Sequence, residues 1–458
     1  MVTLKTSLVY DRPMLQHTER LVDLLDPGLN VLYNMPIAEA RRRVLSGDPA
    51  SVRAIDGSFA LVARDGITVR LARSLDRPMR YFLAKRAEGP ALFVADRIDT
   101  LQRALEAEGL GAQFHPSYTR MVPAHYVVEL HLVGCPDPDP AYTRFFDPAR
   151  AVLPPDLDEI GRRYIGALAG EIAKWLTGIE TRTSGTRAPI GVAFSGGIDS
   201  GAVLLVTYHT MMRLGLSPSR LKAFTLDLGG GRDLEQARAF LERLGLSLFL
   251  EEIYADPRDL DVAEALRTLE DYKPLDVECA AMGLLLSAGI RERYPEWRYI
   301  VDGDGGDENL KDYPIEENSE LTIRSVVNNL MLYHEGWGVG RIKHSLTYSG
   351  GLSRGYVRTY APGRRYGFDA FSPFTRPDVV EVAEGIPFAV LTSYNEAALY
   401  SLKGEIVRRG VLAITGLEMP VFPKRRFQDG VAAGDIRRSI LGGSEQSYRQ
   451  RFLAMYAG

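Results

Sequence analysis

The chain has 458 residues, 45% of them hydrophobic and 25% charged, and its 55 basic and 59 acidic residues leave a formal charge of −4. That is a globular rather than a disordered composition, and the near balance of charge supplies no general field for a polyanion, so no nucleic acid is expected as a partner. The length favours two domains.

Two cysteines, Cys135 and Cys279, lie far apart without the spacing of a zinc site or redox pair, which excludes a disulfide framework and suits a reducing, cytoplasmic compartment. The opening MVTLKTSLVYDRPML lacks a charged segment followed by an apolar one, and no run reaches the ~18 apolar residues of a membrane span, so neither export nor a membrane partner is expected. None of the seven histidines stands three or four residues from another, which argues against a histidine-based metal site.

In chain order, SFALVARDGITVRLARS, ALFVAD and HYVVELHLVG alternate apolar and polar residues around turn signals, predicting an antiparallel, sheet-rich domain over residues 1–150. Prolines and aspartates concentrate in CPDPDPAYTRFFDPARAVLPPDLDE, which reads as a linker near residues 135–157. A second domain is expected over 151–458. It opens with an amphipathic helix marked by Ile160, Tyr164, Leu168, Ile172 and Trp175. Strand and helix patterns then alternate through PIGVAF, LKAFTLDL, DLEQARAFLERLG, SLFLEEI and RYIVDGDGG, the order of a parallel sheet with crossover helices, giving an α/β class. The last third reads as mostly helical, with RPDVVEVAEGI and SLKGEIVRRG as clear pieces.

The apolar strand Ile190–Phe194 runs into Ser195-Gly196-Gly197-Ile198-Asp199-Ser200 at the start of a helix. Glycines there let backbone amides approach a phosphate chain, the helix start adds unpaired N–H groups, and the Ser195 and Ser200 hydroxyls can donate to the same oxygens. A carboxylate beside phosphates is repulsive unless a divalent cation lies between, so Asp199 is expected to hold Mg2+. A plain capped turn would account for one glycine and one polar residue, not for both serines and the carboxylate together. The lysine of a Walker loop is missing. SGGIDS instead resembles the pyrophosphate loop of the N-type ATP pyrophosphatases, which implies ATP as cofactor and adenylation rather than phosphorylation.

A second cluster, Asp302-Gly303-Asp304-Gly305-Gly306-Asp307-Glu308, follows the strand Tyr299–Val301. On chemistry alone, Asp307 can complete the magnesium site while Gly303 and Gly305 leave room for nucleotide or substrate; a solvated acidic turn is the bland reading. The stretch resembles the Ser-Gly-Glu-Gly-x-Asp-Glu motif of the asparagine synthetases, with Asp in place of Ser at 302 and of Glu at 304. SPFTRPDVVEVAEGIP and PKRRFQDGV resemble two further segments of that family, and DGSFALVARD, RSLDRPMRYF and LFVADRIDTL resemble part of its glutaminase domain. The resemblance implies an N-terminal Ntn-hydrolase-like sheet domain and a C-terminal synthetase domain.

Family glutaminases use a cysteine directly after the initiator methionine; here Val2 stands at that position and no cysteine precedes Cys135. The expected glutaminase is therefore vestigial. The same departure marks the β-lactam and carbapenam synthetases, where a tyrosine matches Asp304; the lasso-peptide cyclases are a further relative. The resemblance implies that Lys424 contacts the α-phosphate and the later oxyanion, and that Asp304 accepts a proton from, or orients, the amine. Ala237, Phe240 and Leu244 are expected in the core, and Pro274 and Asp276 near the substrate.

The expected reaction joins a small-molecule or peptide carboxylate to an amine or ammonia in a specialised amidation or ring closure, because the position-2 nucleophile is missing; ammonia-dependent asparagine synthesis is the alternative within the same superfamily. A non-catalytic nucleotide-binding relative is the alternative of another class, and a homodimer is compatible with the sequence. A nucleic-acid-modifying adenylating enzyme is disfavoured, because neither a basic RNA-binding domain nor sulfur-handling cysteines are evident.

Overall fold

The computed structural model describes residues 20–133, 139–185, 187–229, 231–312, 323–328, 356–423 and 440–457. Among them no helix is long and apolar enough to cross a membrane.

The N-terminal part holds two four-stranded sheets. One has the order Arg20–Asp23, Ala91–Ala95, Arg80–Ala84, Arg120–Met121; the other Ala141–Arg144, Tyr126–His131, Thr68–Arg73, Ala60–Asp65. Ala60, Val62, Val69 and Leu71 of one sheet pack on Tyr81, Leu92 and Val94 of the other. Each outer face is covered as well, by the helix Ile37–Ser46 through Ala40 and Val44, and by Ile98–Ala107 through Leu101 and Leu105. Burial on both faces explains the continuous apolar runs Ala60–Ala63 and Ala91–Ala95, which strict alternation does not anticipate. Two details depart from the sequence reading. Arg20–Asp23 pairs parallel to Ala91–Val94 within the otherwise antiparallel arrangement. Ala141–Arg144 in the proline-rich stretch is an edge strand, where proline is tolerated, and Phe145 and Phe146 beyond it are buried.

Further along, five strands form an all-parallel sheet in the order Leu250–Tyr254, Leu221–Asp227, Ile190–Ala193, Tyr299–Val301, Asp369–Phe371. Side chains alternate between its faces. Val192, Ala223, Val301 and Phe371 face the helices Leu157–Arg182, Ile198–Arg213, Asp233–Arg243 and Ala397–Thr415. Phe224, Leu226, Ile300 and Ala370 face Val262–Leu269 and Pro274–Arg293. The chain moves outward from Ile190–Ala193 in one direction, then returns to add Tyr299–Val301 on the other side. Strand order therefore reverses between these two, and at such a point the diverging connections leave a crevice at the strands' carboxyl ends. The fifth strand, Asp369–Phe371, has three residues and carries no usable sequence signal. Helices dominate the region that follows it.

Two buried charges join the halves. Arg376 is 1% exposed; its Nε donates to Glu171 (3.3 Å) and its Nη1 to the Ser58 hydroxyl (3.1 Å), with Asp76 at 3.7 Å. Asp76 also accepts from Ser74 (2.6 Å) and pairs with Arg77; burial raises its pKa, but the flanking arginines and serines hold it at about 2. On the other side, Glu270 accepts the backbone N–H of Ile98 (2.8 Å) and Asp99 (3.2 Å), capping a helix that has no side-chain cap of its own.

Candidate active site

The two glycine-rich loops meet at the switch point. Gly197 caps the helix Ile198–Arg213, and its N–H donates to Ser195 Oγ at 3.3 Å. The Ser195 and Ser200 hydroxyls lie 3.2 Å apart, and Ser195 N reaches Ser200 Oγ at 3.3 Å. These bonds are long, so stronger acceptors can replace them at little cost. Gly196 has φ +71, and a Cβ there would stand 2.8 Å from Ala237 N; its lack of a side chain serves the turn and its packing on Asp233–Arg243. Gly303 joins the loops: a Cβ on it would stand 2.6 Å from Ser200 N.

Between them stands a lysine that sequence reasoning missed. Lys403, 2% exposed, comes from Ala397–Thr415 and donates to Asp199 Oδ2 at 2.6 Å and to Asp307 Oδ1, with Asp312 at 3.6 Å. Burial pulls its ammonium down, yet Asp199, Asp307 and Asp312 hold it well above the usual lysine value. Asp199 is pushed up to about 7, chiefly by burial and against the pull of Lys403. Its Oδ1 is buried with no hydrogen-bond partner among the described residues. A sequence signal for Lys403 existed: it falls in phase with buried Leu399, Ile406 and Val407, a charge on the core face of its helix.

Asp304 points to the other end of the cleft. Thr359 Oγ1 donates to its Oδ2 at 3.0 Å, and Arg358 lies 3.7 Å from its Oδ1. Burial outweighs the pull of Arg358 and Thr359 and pushes Asp304 up to about 6. Behind it Asp302, 2% exposed, accepts the Asp304 N–H at 3.0 Å and leaves Oδ2 without a partner among the described residues. Burial and the neighbouring Asp304 push Asp302 far above the carboxylate range. Arg358 and Thr359 follow a stretch without a clear pattern and were not anticipated.

The cleft has a volume of ≈ 190 Å3 and is lined by Ser195, Gly197, Asp199, Ser200, Gly303, Asp304, Asp307 and Lys403, with Phe224, Leu226, Gly283 and Leu286 as its apolar wall. Eight of the expected residues are thus accounted for: Gly196 supports the turn, and Ser195, Gly197, Asp199, Ser200, Gly303, Asp304 and Asp307 line one cleft. The helix Pro274–Arg293 contributes Gly283 and Leu286 rather than Pro274 and Asp276. Ala237 and Phe240 are in the core as expected, and Leu244 packs against it. Lys424 lies outside the described residues. Its neighbours Phe422 and Pro423 line the cleft, and Tyr400 donates to the Phe422 carbonyl at 2.5 Å, one helical turn before Lys403.

Residues 179–348 match the family model described as asparagine synthase. Over 263 residues the chain is 26% identical to the nodule asparagine synthetase (glutamine-hydrolyzing) of Pisum sativum and to asparagine synthetase (glutamine-hydrolyzing) 2 of Lotus japonicus. Each match covers 55% of this chain and 41% of the relative, so the chain spans well under half the length of the curated relatives it matches. A parallel sheet with two glycine-rich loops at its switch point, together with these matches, supports a likeness of this chain to the asparagine synthetase superfamily.

Proposed function

We propose that the chain is an ATP-dependent amide-forming synthetase: a substrate carboxylate attacks the α-phosphate of ATP and releases pyrophosphate, then an amine attacks the acyl-adenylate and releases AMP. The observation that carries this reading is the placement of Lys403 between Asp199 and Asp307, directly against the Ser195–Ser200 loop. The Ser195 and Ser200 hydroxyls and the amides at the helix start would bind the leaving pyrophosphate. Lys403 is a fixed positive charge in a water-poor cleft, where it stabilises negative charge growing on phosphate oxygens.

Asp199 and Asp307 suit Mg2+. Asp199 offers a buried oxygen with no partner among the described residues, and magnesium takes one or two carboxylates together with substrate phosphates. Among the described residues no group of three or more such side chains is arranged to hold a metal by itself, so phosphate oxygens would complete the shell. Bound there, the ion would neutralise the phosphates.

Asp304 would take the proton that the amine must lose on attack, since an ammonium has no lone pair. Thr359 and Arg358 orient its carboxylate. Lys424 would meet the α-phosphate and the later oxyanion, the role that the resemblance implies for it. Glutamine hydrolysis is not part of this proposal. The carboxylate at Asp304, where lactam-forming relatives carry tyrosine, favours ammonia or a simple amine as nucleophile. Cys279 is buried and forms no disulfide among the described residues, which is compatible with a reducing cytoplasm.

The test is to incubate the purified protein with Mg-ATP and a pool of extract metabolites, with and without ammonium, and to follow AMP and pyrophosphate by mass spectrometry. Asp199→Ala serves as the blank. Metabolite-dependent pyrophosphate supports adenylation, and ammonium dependence identifies an external amine. ADP and phosphate instead, or ATP binding without turnover, would reject the mechanism.

A further inference from the structure

A second cavity of ≈ 260 Å3 lies at the seam between the N-terminal sheets and the parallel-sheet part. Asp96 and Pro78 come from the first part; Tyr360, Ala361, Arg364 and Arg365 come from the helical segment Tyr356–Arg365 of the second. Thr359, next to Tyr360 on that segment, donates to Asp304 in the cleft.

The charges around this cavity are unevenly matched. Arg365 is paired with Glu264 at 2.6 Å. Arg364 gives one N–H to Asp26 at 2.8 Å, leaving most of the five donors of its fork without a bond to any described residue. Across the space, Arg364 and Arg97 act on the Asp96 carboxylate through space, and no side-chain hydrogen bond from another described residue is among the influences on it. Burial raises the Asp96 pKa above its ordinary value, against the through-space pull of Arg364, which does not meet the carboxylate. Asp96 is thus a partly buried carboxylate without a paired cation, and it faces a guanidinium that keeps donors to spare beyond its bond to Asp26.

Which ligand completes such a pair follows from charge. A simple anion would be drawn to Arg364 and repelled by Asp96; a simple cation would meet the reverse. A small zwitterion satisfies both, its ammonium on Asp96 and its carboxylate on the Arg364 fork, both through charge-assisted hydrogen bonds. The Tyr360 ring, Pro78 and Ala361 leave an apolar wall for a side chain. The geometry points to a second ligand site for a free α-amino acid at this seam, separate from the cleft.

The test is calorimetric titration of the full chain with each protein amino acid in turn, then with the N-acetyl and carboxamide forms of any that bind. At least one amino acid should bind saturably, and neither blocked form should. Loss of one charge-assisted partner in Asp96→Asn or Arg364→Met should weaken binding roughly tenfold or more, while Asp304→Asn in the cleft leaves it unchanged. Should Arg364→Met fail to fold, Asp96→Asn and the blocked ligands decide the matter without it. No binding at millimolar concentration overturns the proposal, as does equal binding of a blocked form. Binding lost in Asp304→Asn but kept in Asp96→Asn also overturns it, because the amino acid then occupies the cleft.

Discussion

Two deeply buried cations in this molecule end in opposite states. At the seam, Arg376 is enclosed by Glu171, Ser58 and Asp76, and none of these groups leaves a buried polar atom without a partner. In the cleft, Lys403 sits among Asp199, Asp307 and Asp312, yet Asp199 Oδ1, Asp302 Oδ2, Gln236 Oε1 and Arg358 Nε lack hydrogen-bond partners among the described residues. Buried polar groups are ordinarily satisfied, so a cluster of exceptions around one cation marks a place built for something that binds there. The contrast separates a structural charge from a working one, although both are equally hidden from water.

Removing each cation is the sharpest way to break that comparison. Lys403→Met should abolish pyrophosphate release, and Arg376→Met should instead lower stability by about 3–5 kcal/mol, the cost of leaving partners of a buried ion pair uncompensated. Denaturant unfolding and turnover per folded molecule read the two effects; similar kinetic losses in both variants would dissolve the distinction. Lys424→Ala is expected to reduce turnover by ~10²–10³-fold with ATP still binding, in line with loss of one group that stabilises developing charge. Unchanged turnover would sink that assignment. Gly303→Ala forces the two loops apart at the 2.6 Å approach to Ser200 N, which should cost about 1–3 kcal/mol by overpacking and weaken ATP binding, measured by calorimetry.

The smallest expected effect is the pH dependence of Asp304. Its folded pKa of about 6 is raised above the ordinary aspartate value of 3.8, chiefly by burial, so the folded chain binds this proton more tightly than the unfolded chain does. Its contribution to stability is therefore fully present below about 4 and lost as pH rises through about 6. Asp304→Asn should accordingly stabilise the protein near pH 8 by on the order of 1–3 kcal/mol, after discounting for coupling to its neighbours. Turnover should run the other way, rising between about pH 5 and 7 as the base loses its proton. A flat profile would remove Asp304 from that role.

Much of the site was legible because it is local. Ser195 to Ser200 and Asp302 to Asp307 each follow an apolar strand, and in a parallel sheet such strand ends converge. What was not legible came from distant segments. Lys403 lies about a hundred residues beyond Asp307, and only its phase on a helix hints that it faces inward. Arg358 and Thr359 reach Asp304 from a helical segment with no recognisable signature. The helices Ile37–Ser46 and Ile98–Ala107 escaped because the strand pattern around them dominated the reading, and the latter is capped from another part of the chain by Glu270.

By itself the sequence determined the alternation of strands and helices, the two glycine-rich turns and the carboxylates they carry, since these depend on backbone preferences and short-range periodicity. The tertiary structure alone decided which charges share a cavity. Strand order brings Asp199 beside Asp307, helix packing inserts Lys403 between them, and the closure of two halves buries Arg376 but leaves Asp96 and Arg364 apart. Burial and pairing are properties of groups distant along the chain, and they set which charges are stable, which are strained and which are left to bind a ligand.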